Sequence, residues 1–173
     1  MTDYSEDALV EQPAIELFGQ LGWETANCFY EVCGPKGTLG RETTADVVLV
    51  SRLLPVLERL NPDLPAEAFE QAIEELTRDR SRLGAVAANR EVYNLIKEGV
   101  KVNVPEPDGD GQMVEVVRVI DWNEPANNNY FLASQFWVSR EMYKRRADLI
   151  GFVNGLPLAF IELKATHRLL ENA

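Results

Sequence analysis

Residues 146–164 read RADLIGFVNGLPLAFIELK, and no other stretch restricts the fold of this chain so tightly. Asn154-Gly155 between two apolar runs is a strong hairpin signal, because a tight two-residue turn needs positive φ at its centre. Leu149 to Val153 and Leu158 to Leu163 are nearly continuous apolar runs, which predicts strands buried on both faces. Yet the hairpin carries Asp148 at one end and Glu162 and Lys164 at the other. An isolated charge is costly to bury unless it is paired or binds metal. Glu162 and Lys164, two apart, project from one face of a strand. Register adds a condition. A strict two-residue turn pairs Val153 with Leu156 and Asp148 with Ile161, which puts Asp148 and Glu162 on opposite faces. A three-residue loop or one bulge restores the parity, as does a position for Asp148 just beyond the paired ladder.

The rest of the chain supplies helices first and strands later. Leu9, Ala14, Leu17, Phe18 and Leu21 recur at helical spacing, with Ser5 as a fair N-cap. Pro13 either kinks this helix or marks its first turn near Gln12. The start Thr43-Thr44-Ala45-Asp46 resembles a capping box, and Val47, Val50, Leu54, Leu57 and Leu60 predict a helix after it. A third helix opens at Pro65 and runs to about Thr77, its glutamates forming a solvated face. A fourth runs from about Gly84 to Glu98, with Val86, Tyr93 and Ile96 inward and Gly99 as its cap. Strands are expected at Val100 to Val104, Met113 to Asp121 and Tyr130 to Val138. The order predicts an α/β or α+β fold in a single domain over residues 1–173, with one sheet flanked by helices.

Composition narrows the function classes. Hydrophobic content of 46% with 26% charged residues fits a globular chain with a sizeable core. No apolar run reaches the roughly 18 residues of a membrane span, and the acidic N-terminus is unlike a signal peptide, so a cytoplasmic protein is expected. Cys28 and Cys33, with His167 far away, make poor zinc chemistry and read as reduced thiols. A net charge of −11 argues against a nucleic-acid platform covering the whole surface. It leaves room for a small site where a cation bridges carboxylates and phosphate. Lys144, Arg145 and Arg146, with Arg168, are placed to hold a phosphate backbone if the hairpin is such a site, and otherwise form a solvated turn. The loop from Asn127 to Tyr130 is either part of the site or a turn held by its asparagine side chains.

Asp148 followed on the next strand by Glu162-x-Lys164 resembles the PD-(D/E)xK nuclease core, with Ala147 where that family often has proline. Other words extend the likeness: Arg52-Leu53 with Leu60-Asn61-Pro62, Asn89-Arg90, Glu98-Gly99-Val100, Val119 to Pro125, Asn127 to Phe131, Gln135 to Val138 and Asn154 to Leu158. In that order they resemble the N-terminal nuclease domain of the R (restriction) subunit of type I restriction-modification enzymes, over roughly residues 5 to 168. The resemblance implies a restriction-endonuclease-like core with a mixed central β-sheet flanked by helices, and Mg²⁺-dependent cleavage of double-stranded DNA.

By position, it makes Asp148, Glu162 and the Leu163 backbone carbonyl the metal ligands. Lys164 then orients or activates the attacking water, or stabilises charge on the phosphate. A first-helix glutamate completes the site in that family, and Glu11 is the candidate here, with Glu16 second. The chemistry is coherent: Mg²⁺ takes oxygen ligands and keeps several waters, and a fixed cation stabilises developing negative charge. The resemblance also implies methylation and specificity subunits as partners, and an ATP-driven motor. No G-x-x-x-x-G-K-[ST] phosphate loop occurs, so ATP use is expected only from a motor region outside this chain. The helix with a Q-x-x-x-Y motif that often follows the Glu-x-Lys strand is not among the nine residues after Lys164, as in a piece of a longer subunit.

Overall fold

The structure, a computed structural model, describes residues 10–106, 111–140 and 143–164. They form two compact units, one from the residues up to 49 together with those from 130 onward, the other from residues 50–129. Helices and strands mix in each, and the central sheet is itself mixed, in agreement with the α/β expectation.

The first unit is built on that sheet. Its strands are β1 (Glu24–Asn27), β4 (Tyr130–Arg140), β5 (Tyr143–Val153) and β6 (Leu156–Ile161), in the spatial order β1-β4-β5-β6. β1 runs parallel to β4, and the other pairs are antiparallel. Helix α1 (Gln12–Gln20) starts with Pro13 in its first turn, where a missing N–H costs nothing. Leu17 and Leu21, expected inward, are more than half exposed. Phe18 instead packs edge-on against Trp23, which reaches Tyr130.

The hairpin prediction holds at its turn. Asn154 (φ 53°) and Gly155 (φ 78°) both have positive φ, as a two-residue turn of type I′ requires. The register then slips between Gly151 and Phe152: Phe152 pairs with Pro157, whereas Gly151 pairs with Ala159. Leu158 is the extra residue of this bulge. Only half of the burial expectation survives. β5, between β4 and β6, buries Leu149, Ile150 and Phe152, whereas β6 is an edge strand with Leu158 and Phe160 exposed.

A second irregularity lies across the strand pair. Phe131, Ala133 and Phe136 belong to one core, although strict alternation would turn Phe136 away from the other two. The switch occurs at Gln135, whose φ of 55° is left-handed. On β5, Phe152, Ile150 and Ala147 share that core with the same break in alternation. The ladder numbering is unbroken from Ser134↔Leu149 to Phe136↔Ala147, so Gln135 faces Asp148 at a kink shared by both strands. Cys28, Leu39 and Leu49 close the core around the Phe131, Phe136 and Phe152 rings. The buried Arg41 ties the preceding loop to β4: its guanidinium donates to the carbonyls of Asp46, Thr44 and Trp137 and lies 4.1 Å over the Phe136 ring. Both cysteines are free thiols.

The same loop offers a test by pH. Burial pushes the Glu31 carboxyl up, but hydrogen bonds from Thr38 and from the Leu39 N–H, with the Arg41 charge, hold it below the usual glutamate value. A depressed folded value means that Glu31 stabilises the native state above the unfolded value of 4.5. That contribution is lost as pH falls through the lower folded value. Thermal melts of Glu31→Gln and the native chain should therefore differ by a constant amount near neutrality, with the gap closing in acid.

In the second unit, α2 (Val50–Leu60) and α3 (Ala66–Thr77) pack together, and α3 lies on the separate two-stranded sheet of β2 (Val100–Pro105) and β3 (Gln112–Val117). Among the described residues the single sheet expected from the strand pattern is thus two sheets. α2 buries Leu53, Val56, Leu57 and Leu60 and starts later than its sequence suggested. Thr43 to Asp46 is no helix cap. The Asp46 carboxylate accepts from the Thr43 N–H and the Thr43 hydroxyl from the Ala45 N–H, a local turn that competes with helix. α4 (Ala85–Glu98) ends at Gly99 (φ 89°) as expected, but Val86 and Tyr93 point outward and no α4 residue is buried. Asn127 and Asn128 brace a turn, donating to the Asp121 carboxylate and backbone carbonyl, so the structural reading of that loop holds.

Candidate active site

The bulge in the hairpin decides the geometry of its charges. With Leu149 paired to Ile161, the next step of the same register sets Asp148 against Glu162. One inserted residue has restored the parity that a plain two-residue turn would have broken. The Leu163 N–H donates to Asp148 Oδ2 at 2.8 Å, which fixes that carboxylate beside the Glu162 strand end. Asp148 and Lys164 are half-buried and Glu162 is exposed.

The two carboxyl groups feel one another. Partial burial, the Asp148 charge and a hydrogen bond with Asp148 push the Glu162 carboxyl above the usual glutamate value, against the opposing pull of Lys164 and Arg145. Such repulsion between adjacent acids is what a bound divalent cation would relieve.

Glu11 sits at the head of α1 with helical backbone angles and is buried, at 7% exposure, whereas Glu16 is exposed. Its Oε2 accepts a hydrogen bond from the Gln135 side chain at 2.6 Å. Glu11 therefore meets the site through Gln135, the residue opposite Asp148. It does not join the other two acids directly: among the described residues no three His, Cys, Asp or Glu side chains gather closely enough to hold a metal ion. Two carboxylates with backbone oxygen and water would make a donor set that suits Mg²⁺.

Gln135 was not singled out as a site residue by the sequence. Its left-handed φ costs a side-chain-bearing residue about 1–2 kcal/mol. Gln135→Gly, which sheds that strain, is expected to be about 1–2 kcal/mol more stable than Gln135→Ala, which keeps it, and chemical denaturation of the pair measures the gap. Equal stability would mean that the kink relaxes freely.

Lys144 and Arg146 lie on β5 beyond the kink, and Arg145 faces Val138 across the ladder. Arg168 and His167 fall outside the described residues.

Comparison with known proteins identifies the family. The family model described as "Type I restriction enzyme R protein N terminus" matches residues 3–173. The type I restriction enzyme HindI endonuclease subunit of Haemophilus influenzae is 34% identical over 157 residues, covering 90% of this chain and 14% of the relative. A provisionally named type I restriction enzyme MjaIXP endonuclease subunit of Methanocaldococcus jannaschii is 28% identical over 173 residues, covering 93% of this chain and 15% of the relative. The chain thus spans about a seventh of the length of these relatives. With the family model matching nearly its whole length, the chain belongs to the N-terminal domain family of type I restriction enzyme R proteins.

Proposed function

We propose that this chain is the Mg²⁺-dependent endonuclease domain of a type I restriction enzyme and hydrolyses phosphodiester bonds of double-stranded DNA. The observation that carries the reading is the register slip that turns Asp148 toward Glu162. Both relatives are named endonuclease subunits, which supports the assignment.

In this reading Asp148, Glu162 and the Leu163 carbonyl hold the ion. Bound Mg²⁺ would lower the pKa of a water and neutralise phosphate charge. The chain's own groups do the rest. The Leu163 N–H keeps the Asp148 carboxylate aimed. Lys164, two residues from Glu162, orients the attacking water or stabilises charge on the phosphate. Glu11 acts through Gln135, as a positioning residue for the kink that carries Asp148. Lys144, Arg145 and Arg146 neutralise the DNA backbone without reading its sequence. The methylation and specificity subunits supply site recognition, and ATP acts only through a motor region elsewhere in the subunit. The compartment is the cytoplasm. Among the described residues no helix is long and apolar enough to cross a membrane.

The net charge of −11 favours a second reading, a nuclease-like module that only docks other subunits. Calorimetric titration with Mn²⁺ separates the two. The nuclease reading expects binding to the native chain that Glu162→Ala removes. It also expects affinity to rise with pH as the raised Glu162 carboxyl loses its proton, because ion and proton compete. No heat, or heat indifferent to Glu162, favours the docking module.

A further inference from the structure

On β4 and β5 beyond the kink, the sheet face opposite the one buried by Phe136 and Ala147 is not a plain solvated surface. Trp137 lies directly across the ladder from Arg146, and Ser139 from Lys144. The Arg146 guanidinium sits 5.0 Å over the Phe29 ring and 5.5 Å over the Trp137 ring, and the Lys144 ammonium 4.6 Å over Trp137. The Trp137 indole N–H donates to the Phe29 carbonyl at 3.2 Å, pinning that loop to the strand. Phe29 in turn meets Tyr30 edge-on at 4.8 Å, and Tyr30 is 89% exposed. Cations and rings are thus interleaved in one fixed patch, on a chain that is otherwise strongly acidic. The patch leads into the candidate active site. At about 3.4 Å per residue along an antiparallel strand, Arg146 lies roughly 7 Å from Asp148 and Lys144 roughly 14 Å.

We infer that this platform binds an unpaired stretch of DNA strand next to the cutting site, Arg146 and Lys144 taking phosphates and Tyr30 stacking on a base. The cations alone would serve a duplex. An exposed ring mounted beside them serves bases that have left the helix, since a base inside a duplex offers no free face. Aromatic and cationic groups together are the recurrent chemistry of single-strand grooves. The inference rests on the nuclease reading, which makes the strand DNA and places its scissile bond at Asp148.

The test is fluorescence anisotropy of a fluorescein-labelled deoxythymidine oligomer with the whole chain, in the absence of divalent metal. Tyr30→Ala should weaken binding about tenfold, the scale of one lost base–aromatic stack, with the salt dependence unchanged. Tyr30→Phe should restore it. Arg146→Ala should weaken binding and lower the logarithmic salt slope by about 0.7, as for one phosphate contact on a single strand. A blunt duplex should be nearly indifferent to Tyr30→Ala. Native affinity in Tyr30→Ala overturns the inference, as does an equal loss on duplex and single strand. Failure of the nuclease reading appears in the Mn²⁺ titration, and failure of the platform in the Tyr30 series.

Discussion

On the nuclease reading, replacing Asp148 with alanine in the complete R subunit is expected to reduce DNA cleavage by at least about 100-fold, while ATP hydrolysis by a motor elsewhere in that subunit should continue. Removal of a single preorganised electrostatic contact already costs about 100- to 1000-fold in rate, and on the nuclease reading Asp148 would carry the ion as well. On the same reading Lys164→Ala should fall in the same range, its cation acting where charge develops on the phosphate. The side chains concerned are not core residues: Glu162 is exposed, and Asp148 and Lys164 are half-buried at a strand end. The variants should therefore fold. Cleavage of supercoiled plasmid beside ATP turnover makes the measurement, and full cleavage by both variants would remove these residues from the chemistry.

The second large effect concerns stability. Phe152 is fully buried, with its ring 5.8 Å from that of Phe131 and 5.4 Å from that of Phe136. Phe152→Ala leaves a cavity beside the Phe131 and Phe136 rings and should cost about 3–5 kcal/mol. Phe160, on the other strand of the same hairpin, is 63% exposed, and Phe160→Ala should stay within about 0.5 kcal/mol. Urea denaturation of the two variants compares one residue type at two burials within a single hairpin. A domain is stable by only about 5–15 kcal/mol, so the first loss is a large share of the total. Similar midpoints for the two would mean that the sheet core is misassigned.

The sequence was most informative where short-range chemistry decides conformation. Asn154-Gly155 marked its turn because both residues tolerate positive φ, and Pro13, which fixes φ, lies at the helix start rather than at a kink. Bringing Asp148 and Glu162 to one face takes a longer turn, a bulge or release from the ladder, and the chain uses a bulge at Leu158. Helix faces were less legible. Val86, Tyr93 and Leu17 have helical spacing but point outward, since spacing defines a stripe without saying whether anything covers it. β1 escaped notice because Glu24 to Asn27 is short and mostly exposed, and its pairing with β4 is a long-range choice. Gln135 is the instructive omission. A glutamine in an apolar strand signals a polar partner, and that partner, Glu11, lies 124 residues away. Nothing local in the sequence indicates the left-handed kink that brings Gln135 opposite Asp148.

The central claim is best tested by anomalous diffraction from crystals of the chain grown with Mn²⁺. The account predicts a peak between the Asp148 and Glu162 carboxylates, within about 2.0–2.4 Å of an oxygen from each and in reach of the Leu163 carbonyl, with waters completing the shell. A peak elsewhere, or no ion between the two carboxylates at saturating Mn²⁺, would contradict it.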